Sequence, residues 1–172
     1  MLFGVKLATD MYLPWKESYI NYDGLKELLK ENEERDTTPN GHNKSKQVWT
    51  DDDENKFVGA LDKELEKVYS FQLQKYNSLM DKLTQLEKQT DAEEKIKILN
   101  SDTFRQVLEE CLTEARELDN FSRLNFTGFV KIVKKHDKLH RKYPSVKALL
   151  QVRLKELPFH SEEHSPLLYR IS

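Results

Sequence analysis

Val58, Leu61, Leu65, Val68, Tyr76, Leu79, Leu83 and Leu86 recur close to a heptad, and only Gly59 interrupts the run, so residues 52–88 are expected to form one long helix. Thr50 and Asp51, with Asp53 and Glu54 in the first turn, mark its start. A second stripe, Phe104, Val107, Leu108, Cys111, Leu112, Ala115 and Leu118, predicts a helix capped by Asp102 and antiparallel to the first. Beyond it Phe121, Leu124 and Phe126 read as an apolar corner. Thr127 is placed to cap a separate lysine-rich helix ending near Leu139 to Lys142. Pro144 or Ser145 then opens a last helix that should bury Val146, Leu149, Leu150 and Val152.

Before the long helix the pattern is shorter. Leu2, Phe3, Val5, Leu7 and Met11 give an amphipathic helix over residues 1–11, ended by Pro14. Asn21 caps a second helix from Tyr22 to about Asn32, with Leu25, Leu28 and Leu29 inward and Tyr22, Lys26 and Lys30 climbing one flank. Residues 33–50 carry Pro39, Asn40 and Gly41 without periodicity and read as a mobile loop, with His42 an ordinary loop histidine. The expected architecture is all-α: a short N-terminal helical hairpin on a bundle with two long antiparallel helices and shorter C-terminal helices. One domain should span residues 1–172, with PLLYRIS at the end reading as the middle of an element.

Composition changes this picture little, but charge changes it a good deal. A chain of 172 residues, 37% hydrophobic and 34% charged, suits one helical domain with long solvated faces. Its net charge of −2 hides a segregation: residues 51–120 hold 18 acids against 10 bases, whereas residues 123–155 hold 10 bases against one acid. Cys111 stands alone in an apolar stripe, which predicts a buried, inert thiol and no disulfide framework. The first residues show no leader pattern, and no apolar run approaches the roughly 20 residues that span a bilayer. A soluble, cytosol-facing chain or fragment is expected.

Within the basic segment, residues 125–138 sort into two faces when wound as a helix. Phe129, Ile132, Val133 and His136 fall on one side; Lys131, Lys134, Lys135 and Lys138 crowd less than about a third of the circumference on the other. Like charges at helical neighbour spacing cost roughly 0.2–0.5 kcal/mol per pair, and an anion would relieve them. A merely solvated charged face normally interleaves acids with bases; here Asp137 is the only acid.

No glycine-rich phosphate loop, HExxH, CxxC or GxSxG occurs. His136 and His140 have i, i+4 spacing, but His136 falls on the apolar face with no evident carboxylate beside it and reads as a core histidine; His160 and His164 lie in a polar tail. Tyr69, Phe71 and Tyr76 read as packing residues. No catalytic residue, metal ligand or cofactor is assigned.

YINYDGLK near the start, LDNFSRLNFTGFVKIVKKHDK in the latter half and VRLKELPF toward the end resemble the SPX domain family. The likeness covers essentially the whole chain and is to the SPX modules of the larger, non-catalytic subunits of the fungal vacuolar transporter chaperone polyphosphate polymerase complex. It implies a non-enzymatic receptor for inositol polyphosphates, hexakisphosphate or pyrophosphates, that reports phosphate status at the cytosolic face of the vacuolar membrane and works with other subunits of that complex. Carried over by motif, Tyr22, Lys26 and Lys135 resemble the residues that hold ligand phosphates, and Lys131, Lys134 and Lys138 the adjoining lysine cluster.

Three rival readings remain beside it. The basic helix could bind nucleic acid, although its exposed positions carry only lysines and no Arg, Asn or Gln that would read base edges. The long helix and amphipathic termini could serve protein–protein interaction and oligomerisation. Attraction to an anionic membrane is the weakest of the three.

Overall fold

The computed structural model describes residues 2–30, 48–88 and 101–156. Helix α1 spans Phe3–Asp10, a 3-10 segment Leu13–Ser18, α2 Tyr22–Lys30, α3 Asp51–Lys88, α4 Asp102–Leu139 and α5 Val146–Glu156. The described residues are helical throughout apart from turns and connections, as the spacing of apolar positions predicts.

Helices α3 and α4 form the frame, and their side-chain pairs show that they run antiparallel. Phe57 meets His136, Tyr69 meets Phe129, Phe71 meets Phe121, and Lys82 meets Glu114, so positions rising on one helix match positions falling on the other. Phe57, Leu61, Leu65, Val68, Leu79 and Leu83 of α3 are buried against Cys111, Ala115, Leu118, Phe121, Phe129, Ile132 and Val133 of α4. Trp15 closes the middle of the bundle, its ring 5.5 Å from Phe71 and 6.0 Å from Phe121. Tyr69 and Phe71 are thus packing residues. Cys111 is free and buried, and burial raises its thiol pKa.

The helix starts follow capping chemistry. Thr50 and Asp53 bond reciprocally: the Asp53 N–H donates to Thr50 Oγ1 at 3.2 Å, and the Thr50 N–H to Asp53 Oδ2 at 2.9 Å. Asn21 Oδ1 accepts the Gly24 N–H at 3.0 Å and so caps α2. For α4 the cap is Ser101 rather than Asp102; its hydroxyl accepts the Phe104 N–H at 3.2 Å.

Other sequence expectations also need correction. The apolar corner at residues 121–126 is no corner: α4 runs unbroken for 38 residues, and the lysine-rich stretch is its C-terminal part. Thr127 lies inside the helix, its hydroxyl donating to the Arg123 carbonyl at 2.9 Å, while Phe121 is fully buried as one more rung of the same stripe. In α5 only Val146 and Leu150 are buried; Leu149 and Val152 face outward. Phe3 and Leu7 of α1 enter the core but Val5 and the preceding Leu2 do not, and in α2 Leu25 and Leu29 are buried while Leu28 is exposed. Each of these helices covers the bundle on one narrow stripe, and the remaining apolar positions lie beyond it. Residues 31–47, which hold most of the expected loop and His42, and the tail with His160, His164 and PLLYRIS lie outside the described residues. No helix among the described residues is long and apolar enough to cross a membrane.

Candidate functional site

The site is built where α1, α2 and α4 converge. Gly128, buried on α4, permits that convergence: a Cβ there would lie 3.1 Å from the Phe3 ring and 3.1 Å from Ile20 Cγ2. The chain entering α2 is tied to α4 by Asn125, whose Oδ1 accepts the buried Ile20 N–H at 2.7 Å while its Nδ2 donates to the Phe121 carbonyl at 2.8 Å. An unpaired buried N–H costs roughly 1–3 kcal/mol, so this one amide fixes the position of the segment two residues before Tyr22. Sequence reading missed Asn125. Its partner lies 105 residues away, and nothing local distinguishes it from other polar helix residues.

Phe3 is the hinge of the arrangement. Its ring meets that of Tyr22 edge-on at 4.9 Å, and the Lys131 ammonium sits 5.9 Å from its centroid. Tyr22 is half-buried, and its hydroxyl pKa is raised, first by burial and then by the charge of Asp23. Lys26, one turn on, is half-buried beside it; both line a cavity of about 470 Å³ with Leu2, Val5 and Ala8.

On α4 the four lysines are not equivalent. Lys131, Lys134 and Lys138 are exposed, whereas Lys135 is half-buried. The helical wheel explains this, because Lys135 lies nearest in angle to the buried face that carries Ile132 and His136. The helix C-terminus favours cations within its last turn, which accounts for Lys138 but not for Lys131 or Lys134. Tyr22, Lys26 and Lys135 are thus half-buried and Lys131, Lys134 and Lys138 exposed, and the Phe3 ring brings one of these lysines, Lys131, near Tyr22. Lysine ammoniums are mobile point charges and adapt to many anion geometries.

Below the lysines stands a polar hub that sequence reading also missed. His136 is fully buried, yet both ring nitrogens have carboxylate partners: Nε2 lies 2.8 Å from Glu54 Oε2, and Nδ1 lies 2.9 Å from Asp137 Oδ1. The expectation of no carboxylate beside it was wrong, because Glu54 arrives from the first turn of α3. Glu54 also accepts the Trp49 indole N–H at 2.8 Å, and Trp49 stacks on His140 at 3.8 Å. Asp137 accepts the Ser145 hydroxyl at 2.7 Å and the Val146 N–H at 2.9 Å, so it caps α5 from the end of α4. Burial alone would raise the Asp137 pKa, but the bonds from Ser145, His136 and Val146 outweigh it and hold the carboxyl below its ordinary value. His140 is lowered, chiefly by burial and then by His136. The last turns of α4, the start of α3 and the start of α5 therefore meet around His136 and Asp137. Among the described residues no group of three or more His, Cys, Asp or Glu is arranged to hold a metal ion.

No family model matches the chain. It is 69% identical over its full 172 residues to the vacuolar transporter chaperone complex subunit 2 of Saccharomyces cerevisiae, and spans 20% of that protein. Against the subunit of the same name from Schizosaccharomyces pombe the identity is 36%, over 99% of the chain and 22% of that protein. The chain thus covers about a fifth of the length of these relatives. Among solved structures, the SPX domain of the Chaetomium thermophilum glycerophosphodiester phosphodiesterase 1, in complex with inositol hexakisphosphate, superposes with a TM-score of 0.77 at 27% identity, covering 99% of this chain and 95% of that one.

Proposed function

We propose that this chain, which belongs to the SPX domain family, binds inositol polyphosphates on the surface formed by Tyr22 and Lys26 of α2 and Lys131, Lys134, Lys135 and Lys138 of α4. The observation that carries the reading is the shared Phe3 ring, 4.9 Å from Tyr22 and 5.9 Å from Lys131, which supports a site to which both helices contribute. The ligand named for the related Chaetomium domain has the chemistry such a surface suits. Half-buried Tyr22, Lys26 and Lys135 form the inner part of the site, and the three exposed lysines take the outer phosphates.

The domain acts as a regulatory receptor and not as an enzyme. Its likeness to vacuolar transporter chaperone subunits supports a role within a polyphosphate-synthesising complex at the cytosolic face of the vacuolar membrane, where occupancy of the site would alter contacts with neighbouring subunits. Polymerase activity belongs to another domain or subunit in this reading.

Each charge-assisted hydrogen bond contributes about 1.5–3 kcal/mol at best, and only a multiply phosphorylated ring can make many at once. Calorimetric titration is expected to give affinity rising steeply from orthophosphate to inositol hexakisphosphate and an inositol pyrophosphate, and falling as salt is raised. Orthophosphate binding as tightly as the hexakisphosphate would refute the reading.

A further inference from the structure

Helix α1 turns Phe3 and Leu7 inward at 8% and 5% exposure, but Leu2 and Val5 stand out at 72% and 55%. Leu2, the extended residue that precedes α1, and Val5 in its first turn line one cavity. Together with Ala8 they wall the cavity of about 470 Å³ whose other side carries Tyr22 and Lys26. Lys6, also exposed, lines an adjoining cavity of about 430 Å³ with Arg123, and Lys131 lies over Phe3. Asp23 and Asp10 are the acids that line these two cavities. An apolar edge is thus set beside a surface on which Lys6, Lys26, Arg123 and Lys131 outnumber the acids Asp10 and Asp23.

We propose that this edge docks on a bilayer, with Leu2 and Val5 entering the acyl boundary while the adjacent lysines hold the headgroup of a phosphoinositide. The inference rests on the inositol phosphate reading of the basic surface and extends it to a membrane-borne form of the same chemistry. A free inositol phosphate has no apolar surface and makes no use of Leu2 or Val5. A phosphoinositide presents similar phosphates above hydrocarbon, which matches cations beside outward aliphatic side chains. A protein partner fits less well: two aliphatic side chains among charged neighbours fall short of the apolar centre that a stable interface requires, at about 800 Å² per partner.

The test is co-sedimentation of the chain with vesicles of phosphatidylcholine alone, with phosphatidylserine, and with phosphatidylinositol bisphosphate at matched total charge. Calorimetric titration with free inositol hexakisphosphate runs alongside, and the Leu2→Ser/Val5→Ser variant is carried through both. The expected result is binding strongest to phosphoinositide vesicles, displaced by the free hexakisphosphate. In the variant it falls about tenfold or more while affinity for the free ligand stays within about twofold. Vesicle binding unaffected by the double substitution, or absent although the free ligand binds, overturns the membrane proposal alone. Failure of both vesicle and free-ligand binding overturns it together with the reading on which it rests.

Discussion

Replacing Lys131, Lys134 and Lys138 together by alanine is expected to lower affinity for inositol hexakisphosphate roughly a hundredfold while leaving the chain as stable as before or slightly more so. All three ammoniums are exposed, so each is assigned the modest value of a solvent-screened charge contact, about 1 kcal/mol, and three such losses amount to about two decades. Stability should move the other way. Lys131–Lys134, Lys134–Lys138, Lys131–Lys135 and Lys135–Lys138 are like-charge neighbours three or four positions apart, each costing roughly 0.2–0.5 kcal/mol, and alanine is the better helix former. Loss of the Lys131 contact with Phe3 offsets part of that gain. Calorimetric titration and a denaturant midpoint on the same preparation read both quantities. Unchanged affinity in the folded variant would remove these lysines from the site.

His136→Ala is expected to be the most destabilising single change in the lysine segment, at about 3–5 kcal/mol. The ring is fully buried and stacks on Phe57 at 5.0 Å with the planes 6° apart, so truncation leaves a cavity. It also leaves Glu54 and Asp137, 12% and 25% exposed at the side chain, without the partner between them. For a chain of this size the thermal midpoint should fall by roughly 10 °C or more. A midpoint within about a degree of the unsubstituted chain would mean that the hub contributes little. Ligand affinity should suffer less than in the lysine variant, because Lys131 and Lys134 lie N-terminal to the hub and the rest of α4 still holds them.

Periodicity made the long helices legible because their buried stripes are many turns long: Leu61, Leu65, Val68, Leu79 and Leu83 are buried as the spacing predicts. It failed at residues 121–127, where three apolar residues in quick succession mimic a corner. Phe121 continues the inner stripe there, while Leu124 and Phe126 are half-buried on its flanks, so the helix has no reason to end. The lysine face was legible for the same reason as the stripes: it is local, and its like charges lie at helical spacing. Convergence of α2 on α4 rests on Asn125, Gly128 and Phe3, whose partners come from distant parts of the chain. Of the two carboxylates that meet His136, that of Glu54 is likewise 82 residues away. Such tertiary pairings leave no trace in spacing. Glu54 in particular looks like any acid in a first turn.

The most direct test of a site shared by two helices is calorimetric titration of inositol hexakisphosphate into the unsubstituted chain and into Tyr22→Phe/Lys26→Ala/Lys135→Ala, with short duplex DNA as a competing polyanion at near-physiological salt. Saturable binding that the variant loses and the DNA does not displace is the predicted result. Equal binding by the variant, or equal binding by the DNA, would contradict a specific site between α2 and α4.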